Sequence, residues 1–231
     1  MEYCNSLVRA TRGLGLILGL LLNLTACAGI FGSANMNWQE EVLLHDGSRV
    51  IVERSVERGG PHEVGQRPSY IKETVSFTHP TTGEQIVWED KATPDLRNSN
   101  FLPMALDIYQ DKVYLVASPM GCLAYNKWGR PNPPYVVFSH QNKTWKRVPL
   151  QELPPETKAL NLIFSSPDTE VENLGKRFVD AEAIRNINSG YKQNEYNSII
   201  REPLRSEWCR QPTSFKAPIP IPPHDKSSKD R

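Results

Sequence analysis

The side chains that usually carry chemistry are few in this sequence and widely scattered. Five histidines, His45, His62, His79, His140 and His224, fall in none of the spacings that close on a metal ion, and no HExxH run is present. No GxSxG elbow, P-loop or GxGxxG stretch occurs either. His62-Glu63 and His79 lie next to Pro61 and Pro80, which makes them solvated turn residues. The acidic pairs Glu40-Glu41 and Glu89-Asp90 are candidates for glycoside hydrolysis, which needs two carboxylates about 5–10 Å apart. At strand ends such pairs read as solvated charge. No catalytic residue, metal ligand or cofactor is assigned from the sequence. The stretch that most invites a functional reading is SPMGCLAYNKWGRPNPP, residues 118–134, where Tyr125, Trp128 and Arg130 are the candidate binding residues. Aromatic and arginine side chains on a long loop offer large contact area and directional donors, as binding hot spots do, and aromatics also stack on sugar rings. The competing reading turns Trp128 inward.

The N-terminus has a different kind of chemistry. Arg9 and Arg12 precede the apolar run GLGLILGLLLNL, which ends at Leu24-Thr25-Ala26-Cys27. About a dozen apolar residues are too few for a span, which takes roughly 20. A basic start, a short apolar core and small residues at its end are the parts of an export signal. Leu-Thr-Ala-Cys resembles the lipobox of bacterial lipoproteins, and the resemblance covers only residues 1–27. It implies that residues 1–26 are a signal peptide and that Cys27 receives a diacylglyceryl group and becomes the mature N-terminus. Two or more acyl chains hold a protein stably on a membrane where one does not. Ala28 stands where many lipoproteins retained at the inner membrane have aspartate. The resemblance therefore implies an outer-membrane protein facing the periplasm.

That assignment orders the cysteines. Cys4 leaves with the signal and Cys27 takes lipid, so Cys122 and Cys209 remain in a compartment where disulfides persist. Joining them would close a loop of about 90 residues, worth about 4 kcal/mol by loop entropy. Removing residues 1–26 takes Arg9, Arg12 and Glu2 from 27 basic and 26 acidic side chains, leaving a neutral chain. A nucleic-acid binder carries a basic excess to neutralise phosphates, so nucleic acid is excluded as a partner.

The elements that must position these residues are mostly strands. Residues 27–37 read as a lipidated tether and 38–210 as one β-rich domain. Asp46-Gly47 predicts a hairpin turn between two β-type runs. In YIKETVSF, Ile71, Glu73, Val75 and Phe77 share one face, with Thr74 and Ser76 on the other; Ile86 and Trp88 are in phase in the next run. KVYLVAS and PYVVFS are apolar on both faces, as in strands covered on each side. In SHQNKTW, Ser139, Thr144 and Trp145 resemble the Asp-box turn of propeller proteins such as sialidases. Gln141 and Lys143 replace its Asp and Gly, so an ordinary hairpin is the reading. Val171, Leu174, Phe178, Ala181, Ile184 and Ile187 recur at helical intervals and predict a helix ending at Asn188-Ser189-Gly190. A shorter helix is expected over NEYNSIIRE, which places a helical cap near 170–202. Residues 211–231, with alternating prolines and a charged end, read as a Pro-rich extended tail.

The expectation is a mainly β protein with a C-terminal helical segment (α+β) and an antiparallel β-sandwich-like body. Beyond the lipobox, the chain resembles uncharacterised envelope lipoproteins in organisation only. Such a protein is expected to be anchored by lipid and to act as a binding or accessory module for an envelope protein or a cell-wall glycan. The alternative is an envelope hydrolase acting on glycan or peptide, its carboxylates or histidines gathered only by the fold.

Overall fold

The structure, a computed structural model, describes residues 35–209. The signal segment 1–26, Cys27 and the tail 211–231 lie outside the described residues, as does most of the tether.

The fold is mainly β, built from two sheets. β1 (Asn35–Leu43), β2 (Arg49–Gly59), β3 (Ser69–Thr78) and β4 (Gln85–Lys91) form an antiparallel meander. β5 (Phe101–Tyr109), β6 (Lys112–Pro119), β7 (Val136–Gln141) and β8 (Thr144–Val148) form a second. Helix α1 (Gly121–Lys127) joins β6 to β7, and α2 (Pro167–Leu174), β9 (Phe178–Val179) and α3 (Ala181–Asn188) follow β8. The two-residue β9 lies parallel to β1, so the first sheet is mixed rather than wholly antiparallel. No helix among the described residues is long and apolar enough to cross a membrane.

The sheets share one core, where Val42, Val52, Val75 and Trp88 of the first meet Leu106, Leu115, Ala117 and Val136 of the second. The far face of the second sheet, with Met104, Val116 and Val137, is covered by Leu153, Leu160, Phe164 and Ile199 of the C-terminal segment. Its central strands are therefore buried on both faces, as their unbroken apolar runs predict. A third cluster packs Met36, Trp38 and Val56 against Ile163, Val171, Val179 and Ile184, placing the helical segment over the rest of the first sheet.

Four details depart from the sequence reading. β1 begins at Asn35, inside the expected tether, because Met36 is buried opposite Val56. A register shift at Glu57/Arg58 moves Tyr70, not Ile71, to the interior, since a bulge reverses the phase beyond it. The single helix expected over residues 171–187 is two helices. Gly175 closes α2 at φ 63°, a left-handed cap natural to glycine, and the resulting turn buries Val179 while exposing Phe178. Over NEYNSIIRE only a 3₁₀ turn forms, Asn194–Tyr196.

Candidate functional site

The 118–134 segment is not an open loop: its centre, Gly121–Lys127, forms α1. Cys122 and Cys209 stand at disulfide distance, 2.11 Å between sulfurs, and tie α1 to the end of the described chain. Tyr125 is buried edge-on against Trp208, at 4.9 Å between ring centres. Trp128 is half-buried: its ring lies 4.6 Å from Phe101, and its indole N–H donates to Asn100 Oδ1 at 3.2 Å. Arg130 stacks over Tyr125, donates to Asn126 and to the Cys209 carbonyl, and pairs with Glu207 at 3.2 Å. The three candidate binding residues are thus brought together, but as packing. Burying two rings and satisfying one guanidinium locally lowers the free energy more than an exposed aromatic tip would. The disulfide pins that arrangement in place.

The interior of the first sheet holds what sequence reasoning missed. Glu40, Arg54, Glu73 and Asp90, one from each of β1 to β4, are all buried between the shared core and the helix-covered cluster. The Arg54 guanidinium donates to Glu40 at 3.1 Å and to Glu73, while Ile163 N–H donates to Glu40 Oε2 at 3.0 Å. Asp90 accepts from Asn100 and from Phe101 N–H. One cation cannot neutralise two buried carboxylates, and Asp90 beside them adds a third. Burial outweighs Arg54 and pushes Glu73 up to about 7; burial also raises Glu40 and Asp90. Desolvation opposes the charge on Arg54, but Glu40 and Glu73 together hold it above its ordinary value. Nearby, Arg58 grips Asp168 of α2 through Nε at 2.6 Å and Nη2 at 2.9 Å, and Tyr70 donates to the same carboxylate. Those donors overcome its burial and leave Asp168 below the usual carboxylate range. A signal for this layer was present: Glu40, Arg54 and Glu73 each fall in phase with the inward residues of their strands.

The histidines remain apart. His45 Nδ1 lies 2.8 Å from Asp107, which also accepts from Thr157, and the Asp107 hydrogen bond raises the imidazole above its ordinary value. His79, expected as a solvated turn residue, is buried instead: its Nε2–H donates to the Asp111 carbonyl at 3.2 Å while Nδ1 accepts from the Thr81 and Thr82 N–H groups that follow it in the turn. Among the described residues no group of three His, Cys, Asp or Glu could hold a metal ion.

A concavity lies elsewhere, at the far edge of the second sheet. A groove of about 730 Å³ runs between β8, the turn Pro149–Gln151, the 131–135 segment with its cis Asn132–Pro133 bond, and Arg201 with Pro203. Tyr135, Val137 and Val148 lie along its floor, where Tyr135 and Val137 also belong to the buried core. Lys146, Arg147 and Arg201 line it, with no carboxylate among the lining residues. Arg201 is fixed by the carbonyls of Leu150, Leu153, Pro154 and Thr157, which shapes the wall. Arg147 stacks over Trp128 and donates to its carbonyl at 3.2 Å, so the disulfide-pinned helix braces this rim. A pre-formed groove with an apolar floor and fixed positive charge can hold a ligand without rearrangement. No family model, curated protein or solved structure matches this chain.

Proposed function

We propose that this chain is a lipid-anchored cell-envelope protein that works by binding, with its anchor at Cys27 and its partner-facing surface the groove beside β8. The observation that carries the binding half is the groove itself: an apolar floor, three cations on its walls and a rim braced by α1 and the Cys122–Cys209 bond. The lipobox pattern supports the anchor, and Ala28 supports a periplasmic position on the outer membrane over inner-membrane retention. A bond between cysteines 87 residues apart accords with an oxidising compartment. Of the two partner classes, an envelope protein is favoured over a glycan. Tyr125 and Trp128, the aromatics suited to stacking on sugars, are committed to packing. Anchoring confines the groove near the membrane and raises its effective concentration for a neighbouring protein.

The test has two arms. Labelled palmitate should enter the wild type and not Cys27→Ser, which should fractionate away from membranes. A photo-crosslinking residue at position 146, at the groove, should capture a defined envelope protein. The same residue at position 51, exposed on the outer face of the first sheet, should not. Label in both proteins, or equal capture from both positions, would sink the corresponding half of the proposal.

A further inference from the structure

The edges of the two sheets are finished unequally. Beyond β1 lie β9 and Arg177, whose carbonyl accepts from Gln39 N–H and whose guanidinium donates to the Asn37 carbonyl. β5 is closed by Asn161, whose side-chain amide accepts from Leu106 N–H at 2.9 Å and donates to the Leu106 carbonyl at 2.8 Å; Leu162 N–H caps Met104. β4 is blunted: the Trp145 indole donates to the Val87 carbonyl at 2.7 Å, and Glu89, paired with Lys72 and Lys91, charges its solvent face.

Among the described residues β8 has no such cover. The two-residue turn Asn142-Lys143, both at positive φ, makes Gln141 and Thr144 the closing hydrogen-bonded pair of the β7–β8 hairpin. Alternation then directs the backbone N–H and C=O of Trp145 and Arg147 away from β7. The β5–β6 hairpin supports this count. Its turn at Gln110-Asp111 directs Leu106 outward by the same rule, and Leu106 is the residue Asn161 caps. Among the described residues nothing bonds the outward backbone of Trp145 or Arg147.

An unpaired strand edge is a template for another strand, and main-chain hydrogen bonds give such additions their affinity. Charge decides which strand. Lys143 and Lys146 are exposed along this edge, and Arg147 and Arg201 stand behind them at the groove. A second copy pairing β8 with β8 would set these cations against one another, which is unfavourable. We propose that β8 takes up an extended acidic segment of another envelope protein as an additional strand. Its main chain pairs with Trp145 and Arg147, its carboxylates face Lys143 and Lys146 on the groove side, and its alternate apolar side chains lie on the opposite face, beside Trp145. This inference rests on the binding reading of the groove and specifies its ligand.

The probe is a fluorescein-labelled peptide of alternating Glu and Val, titrated into the full-length protein and followed by anisotropy. It should bind saturably. Exchanging Glu for Lys, or N-methylating alternate residues to remove their donors, should each weaken binding at least about tenfold. Lys143→Glu with Lys146→Glu should weaken the acidic peptide by a similar factor and reverse the preference toward the Lys peptide. These are exposed positions, so an unchanged melting midpoint shows that the fold is retained. No saturable binding, indifference to N-methylation, or a dimer that the double charge reversal alters would overturn the inference. If cross-linking at position 146 captures an envelope protein while the acidic peptide fails, the binding reading stands and this one falls. If both fail, both fall.

Discussion

In the first sheet four neighbouring strands send charged side chains inward: Glu40, Arg54, Glu73 and Asp90, with Arg58 further along β2. The second sheet meets the same shared core with Leu106, Val113, Leu115, Ala117 and Val136. The difference follows from what covers each sheet. The second is sandwiched along its length and meets the shared core with apolar volume, while its buried Asp107 is answered by His45 and Thr157. The first is covered in part by the second sheet and in part by Ile163, α2 and α3, and its charges lie along that boundary, where Ile163 supplies both a donor and an acceptor. A buried ionic layer is weak evidence for stability, because desolvation offsets most of the attraction. Its consequence is directional: strands that slip by one residue would bury the wrong charge.

The strongest way to break the contrast is Arg54→Ala, which leaves Glu40 and Glu73 buried without their cation. It should cost about 3–5 kcal/mol in urea unfolding, whereas Arg54→Met with Glu40→Leu and Glu73→Leu should be neutral or stabilising. Equal losses from both would show that the charges themselves hold the sheet. In the second sheet, Leu115→Ala should cost about 2–5 kcal/mol, a cavity loss that does not vary with pH. Replacing both cysteines by serine should cost up to about 4 kcal/mol through the released loop and should increase hydrogen exchange in α1.

The pH profile sharpens the comparison further. Burial raises Glu73 from 4.5 to about 7, so the folded protein holds a proton there that the unfolded chain has released. Stability should therefore fall as pH rises from about 4.5 to 7, by on the order of 1–3 kcal/mol, then level off. Asp168 has the opposite sign: its folded value is depressed, so its contribution is present above about 4 and is lost as pH falls further. Glu73→Gln should flatten the upper slope and leave the acid limb in place. A slope that survives the substitution would assign it to Glu40 or Asp90. The smallest effect belongs to the groove: Lys146→Glu should change stability by less than about 0.5 kcal/mol, because the side chain is exposed.

The sequence made the mainly β class, the hairpin turns and the twice-covered central strands legible, since period and turn chemistry are local properties. The alternation in β3 sets Glu73 on the same face as Val75 and Phe77. What local pattern could not supply was its partner, because Arg54 is 19 residues away on another strand. The break at Gly175 was hidden by an apolar periodicity that runs through it. The fate of Tyr125 and Trp128 was equally hidden, because residue type alone does not distinguish a hot spot from an anchor. The groove had no motif at all: it joins β7, β8 and Arg201, which only the C-terminal return brings together.

That return also sets an order in time. The first meander ends at Lys91, and all three of its hairpin pairings are near in sequence, so its strands can pair early. Yet Glu40 receives one of its donors from Ile163, and Arg58 its counter-ion from Asp168, more than 70 residues after the last strand of that meander. A chain emerging N-terminus first therefore carries a half-finished sheet, with its charges still in water, until α2 arrives. The earliest part of the domain to be made is the last part to become dry.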